Sequence, residues 1–264
     1  MEWLLAYLGI GVVVGFLAGL LGIGGGAVTV PLLVWAFGAQ ALPGEHVIRL
    51  ALGTSMAVIF FTSLSSMRAH QKHGAVDWKI VRAMAPGILA GSFGAALAAA
   101  HIPTRGLAMI FTVLAFYAAG QMLFELRPPP SRTLPGAAGI FAAGTGIGAA
   151  SSLFAAGGAF LTVPFLVWCN VPIRRAIGTA AGNGFPIAAA GTAGYVLQGL
   201  RAEGLPGATV GYVYLPALAL IALASMSLAP LGARAAYRVP VKALRVVFGV
   251  LIGAMAIRTL ATLW

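Results

Sequence analysis

Two short phrases hold the residues with the clearest chemical use. Gly22-Ile23-Gly24-Gly25-Gly26 runs into Thr29-Val30-Pro31-Leu32-Leu33-Val34-Trp35, and Ala155-Ala156-Gly157-Gly158 runs into Thr162-Val163-Pro164-Phe165-Leu166-Val167-Trp168. The two heptapeptides agree at six of seven positions. Glycine permits the backbone conformations a tight turn requires and is costly inside a helix, so each phrase predicts a chain break followed by a new helix. Thr29 and Thr162 have N-cap chemistry, and Pro31 and Pro164 suit a first helical turn. A helix that starts there leaves backbone N–H groups unpaired at the positive end of its dipole, an arrangement that favours anions.

A second polar group follows each phrase. It comprises Gly53, Thr54 and Ser55 after the first, and Gly178 and Thr179 after the second, with Asn183 close behind in Gly182-Asn183-Gly184-Phe185-Pro186. Hydroxyls in membrane helices commonly bond their own backbone, so no single one carries much weight. An unpaired amide in an apolar environment is expensive. Asn183 therefore ranks first among the individual polar side chains, and the glycines and proline around it predict a further break.

The elements that position these groups must lie in a membrane. The chain has 264 residues, of which 60% are hydrophobic and 8% charged, with a mean hydropathy of +0.98. Soluble domains carry about 25% charged residues, so a water-soluble globule is excluded. The 36 glycines and 15 prolines follow no G-X-Y period and form no polar tract, which sets aside collagen and disorder. The reading is an all-α, polytopic integral membrane protein. Its net charge of +11 is assigned to loop retention and anionic lipid rather than to nucleic acid. The single cysteine, Cys169, has no disulfide or metal partner and reads as a small apolar packing residue. Met1-Glu2-Trp3 lacks the basic start of a cleaved signal peptide, so residues 3–21 are expected to remain as a helix.

Charges divide the chain into neutral runs at 3–44, 50–67, 83–104, 106–124, 133–173, 176–200 and 204–233. Most match the roughly 20 residues of a spanning helix. The runs 3–44 and 133–173 would each reach about 60 Å as one helix, twice the hydrocarbon thickness, so both must turn, at the glycine-rich phrases. Ala51-Leu52-Gly53-Thr54 echoes Ala176-Ile177-Gly178-Thr179, and Ile102-Pro103 echoes Val239-Pro240. An internal duplication accounts for these matches. Residues 1–126 form one repeat, 127–135 a linker and 136–264 the other. Each repeat is read as a broken segment A followed by helices B, C and D, near 3–42, 48–67, 80–100 and 105–124, then near 135–169, 176–198, 209–230 and 241–263.

Loop charge predicts that the repeats are inverted. The first B–C loop holds Arg68, Lys72, Lys79 and Arg82, and the second only Arg201 beside Glu203. The C–D loops reverse this, with Arg105 alone against Arg234, Arg238, Lys242 and Arg245. Basic loops stay in the cytoplasm, so equivalent loops face opposite sides. Three spanning helices per repeat then require segment A to leave on the side it entered. Both termini are expected outside and the linker inside.

Other residues narrow the function. Glu2, Glu45, Asp77, Glu125 and Glu203 all lie outside the deep parts of the predicted spans, which argues against a cation carrier or a carboxylate proton relay. His46, His70, His73 and His101 fall in loops or at helix ends and are expected to be solvated. Arg49, Arg174 and Arg175 flank the mouths of helix B, where they could draw in anions, although snorkelling to lipid headgroups is the favoured reading. Gly15, Gly19, Gly87, Gly91 and Gly94 are expected to pack helices closely. Zinc-protease and serine-hydrolase motifs are absent from the sequence, so no enzyme activity, cofactor or metal is predicted.

The phrase Gly22-Ile23-Gly24-Gly25-Gly26 with Val30-Pro31 and Leu52-Gly53-Thr54-Ser55 resembles the sulfite exporter TauE/SafE family. So do Gly157-Gly158 with Val163-Pro164 and Ile177-Gly178-Thr179, and the basic stretch ending Gly74-Ala75-Val76-Asp77-Trp78. The resemblance covers nearly the whole chain, though Ala155-Ala156 replaces the first glycines in repeat two. It implies a multispanning inner-membrane permease for sulfite, sulfonates or related organosulfur anions. The expected function is alternating-access transport of such an anion. Gly24, Gly25, Gly26, Thr29, Gly157, Gly158 and Thr162 would form the cradle, with Pro31 and Pro164 beside it, and Thr54, Ser55, Thr179 and Asn183 lining it. An anion channel would use the same helix ends without alternating access, and a non-transporting assembly or sensor protein would instead carry an exposed polar or aromatic docking patch. Membrane lipid is an expected partner, while proton coupling through the anion itself and homo-oligomer formation stay open.

Overall fold

The computed structural model describes residues 2–21, 25–124, 129–236 and 241–261. The chain order is α1 (Glu2–Leu21), α2 (Gly26–Ala39), α3 (Gly44–Lys72), α4 (Trp78–Ala99), α5 (Thr104–Leu123), α6 (Ala137–Phe154), α7 (Ala159–Trp168), α8 (Ile173–Gly199), β1 (Thr209–Val210), β2 (Val213–Tyr214), α9 (Leu215–Ala236) and α10 (Val241–Ala261). Among the described residues, six helices are long and apolar enough to cross a membrane: α1, α3, α4, α5, α6 and α9. The protein is therefore a polytopic all-α membrane protein, and among the described residues its only strands form a short antiparallel hairpin.

Local chemistry sets the element limits. Pro43, Pro103 and Pro172 each occupy the position just before α3, α5 and α8, where a missing N–H and a fixed φ do least harm. Asp77 caps α4, its carboxylate accepting from the Lys79 and Ile80 N–H groups at 3.1 and 3.4 Å. Both expected breaks in segment A are present: α1 ends at Leu21 and α2 begins at Gly26, while α6 ends at Phe154 and α7 begins at Ala159. With 14 and 10 residues, α2 and α7 rise only about 21 and 15 Å.

Two expected element limits are corrected. Helix C of the second repeat starts at Leu215 rather than near 209, because Ala208 and Gly211 take left-handed φ angles of 62° and 55° and fold 209–214 into the hairpin. No break occurs around Asn183, since α8 is continuous from Ile173 to Gly199. The flanking glycines serve packing instead. A β-carbon on Gly182 would crowd Val81 and Val76, and one on Gly184 would crowd Ser63 and the Gly157 carbonyl.

The halves interlock. Helix α1 packs on α9, and α6 packs on α4. Gly11 lies against Ile221, Gly15 against Ser225 and Gly19 against Ala229, so both residue numbers rise together and the pair is parallel. Helices α4 and α6 pair likewise, with Gly87 on Phe141, Gly91 on Thr145 and Gly148 on Ile88. Missing β-carbons let these backbones meet, as expected for Gly15, Gly19, Gly87 and Gly91. Gly94 differs: it is exposed, with open space where a β-carbon would go. Helices α3 and α8 cross the centre antiparallel, Gly53 meeting Tyr195, Met56 meeting Gly191 and Ser63 meeting Gly184.

Candidate functional site

The two breaks meet at the centre of the molecule. Gly25 (φ 74°) precedes α2 and Gly158 (φ 79°) precedes α7, both left-handed, a conformation that favours glycine. Ala155 ends α6 in the same region, with φ 46°. A β-carbon on Gly26 would overlap the Ala155 carbonyl, so the start of α2 rests directly on the second break. One face of α3 runs past this junction. Met56 approaches Gly191, where the Ser152 and Ser92 hydroxyls also converge; Ile59 reaches Gly26; Ser63 reaches Gly184 beside Gly157.

The start of α7 collects polar atoms without partners. A β-carbon on Gly158 would lie 3.3 Å from Ser151 Oγ and 3.5 Å from Thr162 Oγ1, with the tip of Ile187 closer still. The Ser151, Ser152 and Thr162 hydroxyls are buried and unpartnered, as is Asn183 Oδ1. Asn183 stands one helical turn before Ile187 on α8 and donates its amide to Met84 Sδ at 3.4 Å. Helix geometry leaves the Ala159 and Phe160 N–H groups without partners inside α7, whereas Leu161 and Thr162 N–H bond the Gly158 carbonyl at 3.1 and 2.8 Å. The cluster thus combines hydroxyls, main-chain donors and one amide. Among the lysines and arginines whose side chains the structure describes, all are exposed except Arg49, which is half-buried.

The expected site residues separate into those the fold gathers and those it uses elsewhere. Gly25, Gly26, Gly157, Gly158, Thr162 and Asn183 belong to the junction. Gly24 lies outside the described residues. Thr29 is buried but is not an N-cap: its hydroxyl donates to the Gly25 carbonyl at 3.0 Å. Pro31 and Pro164 are the sixth residues of their helices, not first-turn residues, and stand partly exposed on outer faces. Thr54 and Thr179 do not face the cluster. Each accepts a backbone N–H from the other half of the chain, Thr54 from Tyr214 at 2.9 Å and Thr179 from Asp77 at 3.0 Å. Ser55 is fully buried with an unpartnered hydroxyl, one residue before Met56.

Ser151, Ser152, Ser92 and Met84 were not singled out by the sequence. Adjacent serines ending an apolar run just before a break were the available signal. Repeat matching hid them, because Ala18 and Gly19 occupy the equivalent positions in repeat one.

Three expectations for charged groups are corrected. His46 and His70 are buried rather than solvated, and His46 Nε2 lies 3.0 Å from the Glu203 carbonyl. Arg49 is not directed at lipid: its guanidinium donates to the Glu45 and Ile102 carbonyls at 3.0 and 2.8 Å. It therefore ties the start of α3 to the loop after α4.

The comparisons agree with this architecture. The family described as sulfite exporter TauE/SafE matches residues 7–259. A probable membrane transporter protein of Haemophilus influenzae is 34% identical over 250 residues, covering 94% of each chain. One from Methanocaldococcus jannaschii is 25% identical over 264 residues, covering 94% of this chain and 92% of its own. No solved structure matches the chain. With a matched region running through both breaks and every helix, the chain belongs to the sulfite exporter TauE/SafE family of membrane transporters.

Proposed function

We propose that this transporter carries a small sulfur oxyanion, sulfite or an organosulfonate, by alternating access about the junction of the two breaks. The observation that carries the reading is the set of buried, unpartnered hydroxyls near the second break: Ser151 Oγ, Ser152 Oγ and Thr162 Oγ1. An unmet buried polar group costs about 1–3 kcal/mol, so a ligand that meets several at once binds favourably. Hydroxyls and main-chain N–H groups at a helix N-terminus suit an oxyanion. Neutral donors also let the anion leave again, which a buried lysine or arginine would oppose. The two half-sites are unequal: Thr29 spends its hydroxyl on Gly25, while Thr162 keeps its own available.

The family's description supports a sulfur oxyanion as substrate, while the relatives' names say only membrane transporter. Inverted repeats are supported by the parallel pairing of α1 with α9 and of α6 with α4. Five short-linked elements per repeat make the chain alternate direction, so the first helix of repeat two runs opposite to that of repeat one. Broken helices meeting at mid-membrane between inverted repeats are a recurrent transporter design. On this reading both termini are outside and residues 127–135 are cytoplasmic.

The test is uptake of radiolabelled sulfite by proteoliposomes. Asn183→Ala, Gly25→Leu and Gly158→Leu are expected to lose flux in protein that still reconstitutes. Full flux in all three would overturn the site, and single-channel currents would replace the carrier with a channel.

A further inference from the structure

A second polar cavity lies away from the junction. It has a volume of about 270 Å³ and sits between the C-terminal halves of α3 and α9. It is lined by Ser65, Arg68 and Lys72 of α3, by His73 just after that helix, and by Met226 and Arg234 of α9, among others. The α3 residues recur at helical spacing, which places them on one face. At its inner end the Ser65 hydroxyl donates to the Met226 carbonyl at 3.0 Å, tying the two helices together. The cationic ends of Arg68, Lys72 and Arg234 belong to exposed residues that border the cavity.

The charges here are unbalanced. Among the described residues, Arg68, Lys72 and Arg234 meet no carboxylate. Arg68 and Lys72 are four residues apart on one helix, where like charges destabilise each other. The C-terminal ends of α3 and α9 converge at the end of the bundle that also carries Lys79 and Arg82, which the loop charges place in the cytoplasm. A cavity just below the usual range of small-molecule pockets takes a headgroup or a small inorganic ion. Two guanidinium forks suit a tetrahedral oxyanion, which they can hold through paired N–H donors.

We propose that the cavity bounded by Arg68, Lys72 and Arg234 binds a phosphate group, at a site separate from the central transport junction. The phosphate comes either from an anionic phospholipid headgroup or from free phosphate. Basic pockets between membrane helices on the cytoplasmic side recognise acidic headgroups by this chemistry. Bound there, the group would neutralise the like charges and fasten the end of α3 to α9, which itself packs on α1.

The experiment is thermal unfolding of the full-length, delipidated protein in detergent at fixed ionic strength. Phosphatidylglycerol is compared with phosphatidylcholine in mixed micelles, and inorganic phosphate with chloride. Wild type is expected to be stabilised by phosphatidylglycerol, inorganic phosphate or both over their controls. The double variant Arg68→Gln/Arg234→Gln is expected to weaken that response at least fivefold in apparent Kd. A response to phosphatidylglycerol alone assigns the phosphate to lipid, and one to inorganic phosphate assigns a free anion. Lys72→Gln, changed singly, gives the same reading if the double variant expresses poorly. Thr162→Val keeps the wild-type response, which separates this cavity from the junction. No response to either probe in wild type, or an unchanged response in the cavity variants, overturns the proposal.

Discussion

The Thr179 hydroxyl accepts the backbone N–H of Asp77 at 3.0 Å, joining α8 to the start of α4. The same contact is made in the other direction, where Thr54 of α3 accepts from Tyr214 at 2.9 Å, just before α9. The preceding glycines complete the grip. A β-carbon on Gly178 would overlap the Ala75 carbonyl, and one on Gly53 the Tyr212 carbonyl. Each Gly-Thr pair thus clasps a segment from the other half of the chain, Gly178-Thr179 the one leading into α4 and Gly53-Thr54 the one leading into α9. The polar pair that recurs in the N-terminal halves of α3 and α8 is a clasp between the two halves of the chain.

Replacing either threonine by valine keeps its shape and removes the acceptor. The N–H of Asp77 or Tyr214 then loses its partner, at a cost of about 1–3 kcal/mol. Thr54→Val and Thr179→Val are expected to lower the melting temperature in detergent, while the corresponding serine variants retain most of it. Wild-type melting in both valine variants would contradict the clasp.

The junction hydroxyls should behave in the opposite way. Ser151 and Thr162 have no partner to lose, so removing their hydroxyls is nearly neutral or stabilising. Ser151→Ala and Thr162→Val are expected to melt at or above the wild-type temperature yet transport at least tenfold more slowly in proteoliposomes. Melting curves and uptake measured on the same preparations check both halves of this expectation.

Glycine substitutions divide by what a β-carbon meets. Gly158→Ala places an alanine at φ 79°, against Ile187, where left-handed backbone alone costs about 1–2 kcal/mol. Gly94→Ala enters open space and relieves the helix cost of glycine. The first variant is expected to melt lower than wild type and the second no lower, read by thermal unfolding side by side.

Cys169 ends α7, outside the spans, and burial pushes its thiol above the ordinary cysteine range, with Arg132 only partly opposing this. A raised pKa leaves less thiolate at neutral pH, and the thiolate is the reactive form. Maleimide labelling of native protein is expected to be slow at pH 7 and to rise only as the pH climbs past the ordinary range. Against that quiet background, Glu2→Cys should label from outside intact cells. Labelling only after the membrane is opened would invert the proposed topology.

Much of the architecture is legible in the sequence because the bilayer limits helix length and charges mark the ends. Neutral runs too long for one crossing locate both breaks, and the repeated Thr-Val-Pro phrase pairs them. The hairpin at 209–214 is not legible, since Val210, Tyr212, Val213 and Tyr214 extend an apolar run and only backbone angles at Ala208 and Gly211 end it. Gly182 and Gly184 look like break residues around Asn183 but exist to let Val81, Ser63 and Gly157 approach. Thr29 and Thr162 are indistinguishable in local sequence. Thr162 stands beside Ser151 at the start of α7, whereas Thr29 bonds back to Gly25. Tertiary neighbours, which differ between the repeats, decide which half of the duplicated motif has donors to offer.

The central claim is that the α7 junction binds a sulfur oxyanion. Its most direct test is ligand-dependent thermal stabilisation of the purified protein against sulfite, sulfate, thiosulfate, taurine, sulfoacetate and chloride at fixed ionic strength. A ligand that binds only folded protein stabilises it by about 2.7 kcal/mol at 100 times its Kd. A selective shift with one sulfur oxyanion is expected, and it should disappear in Ser151→Ala/Thr162→Val. A flat panel, or a shift that survives unchanged in that variant, would contradict the claim.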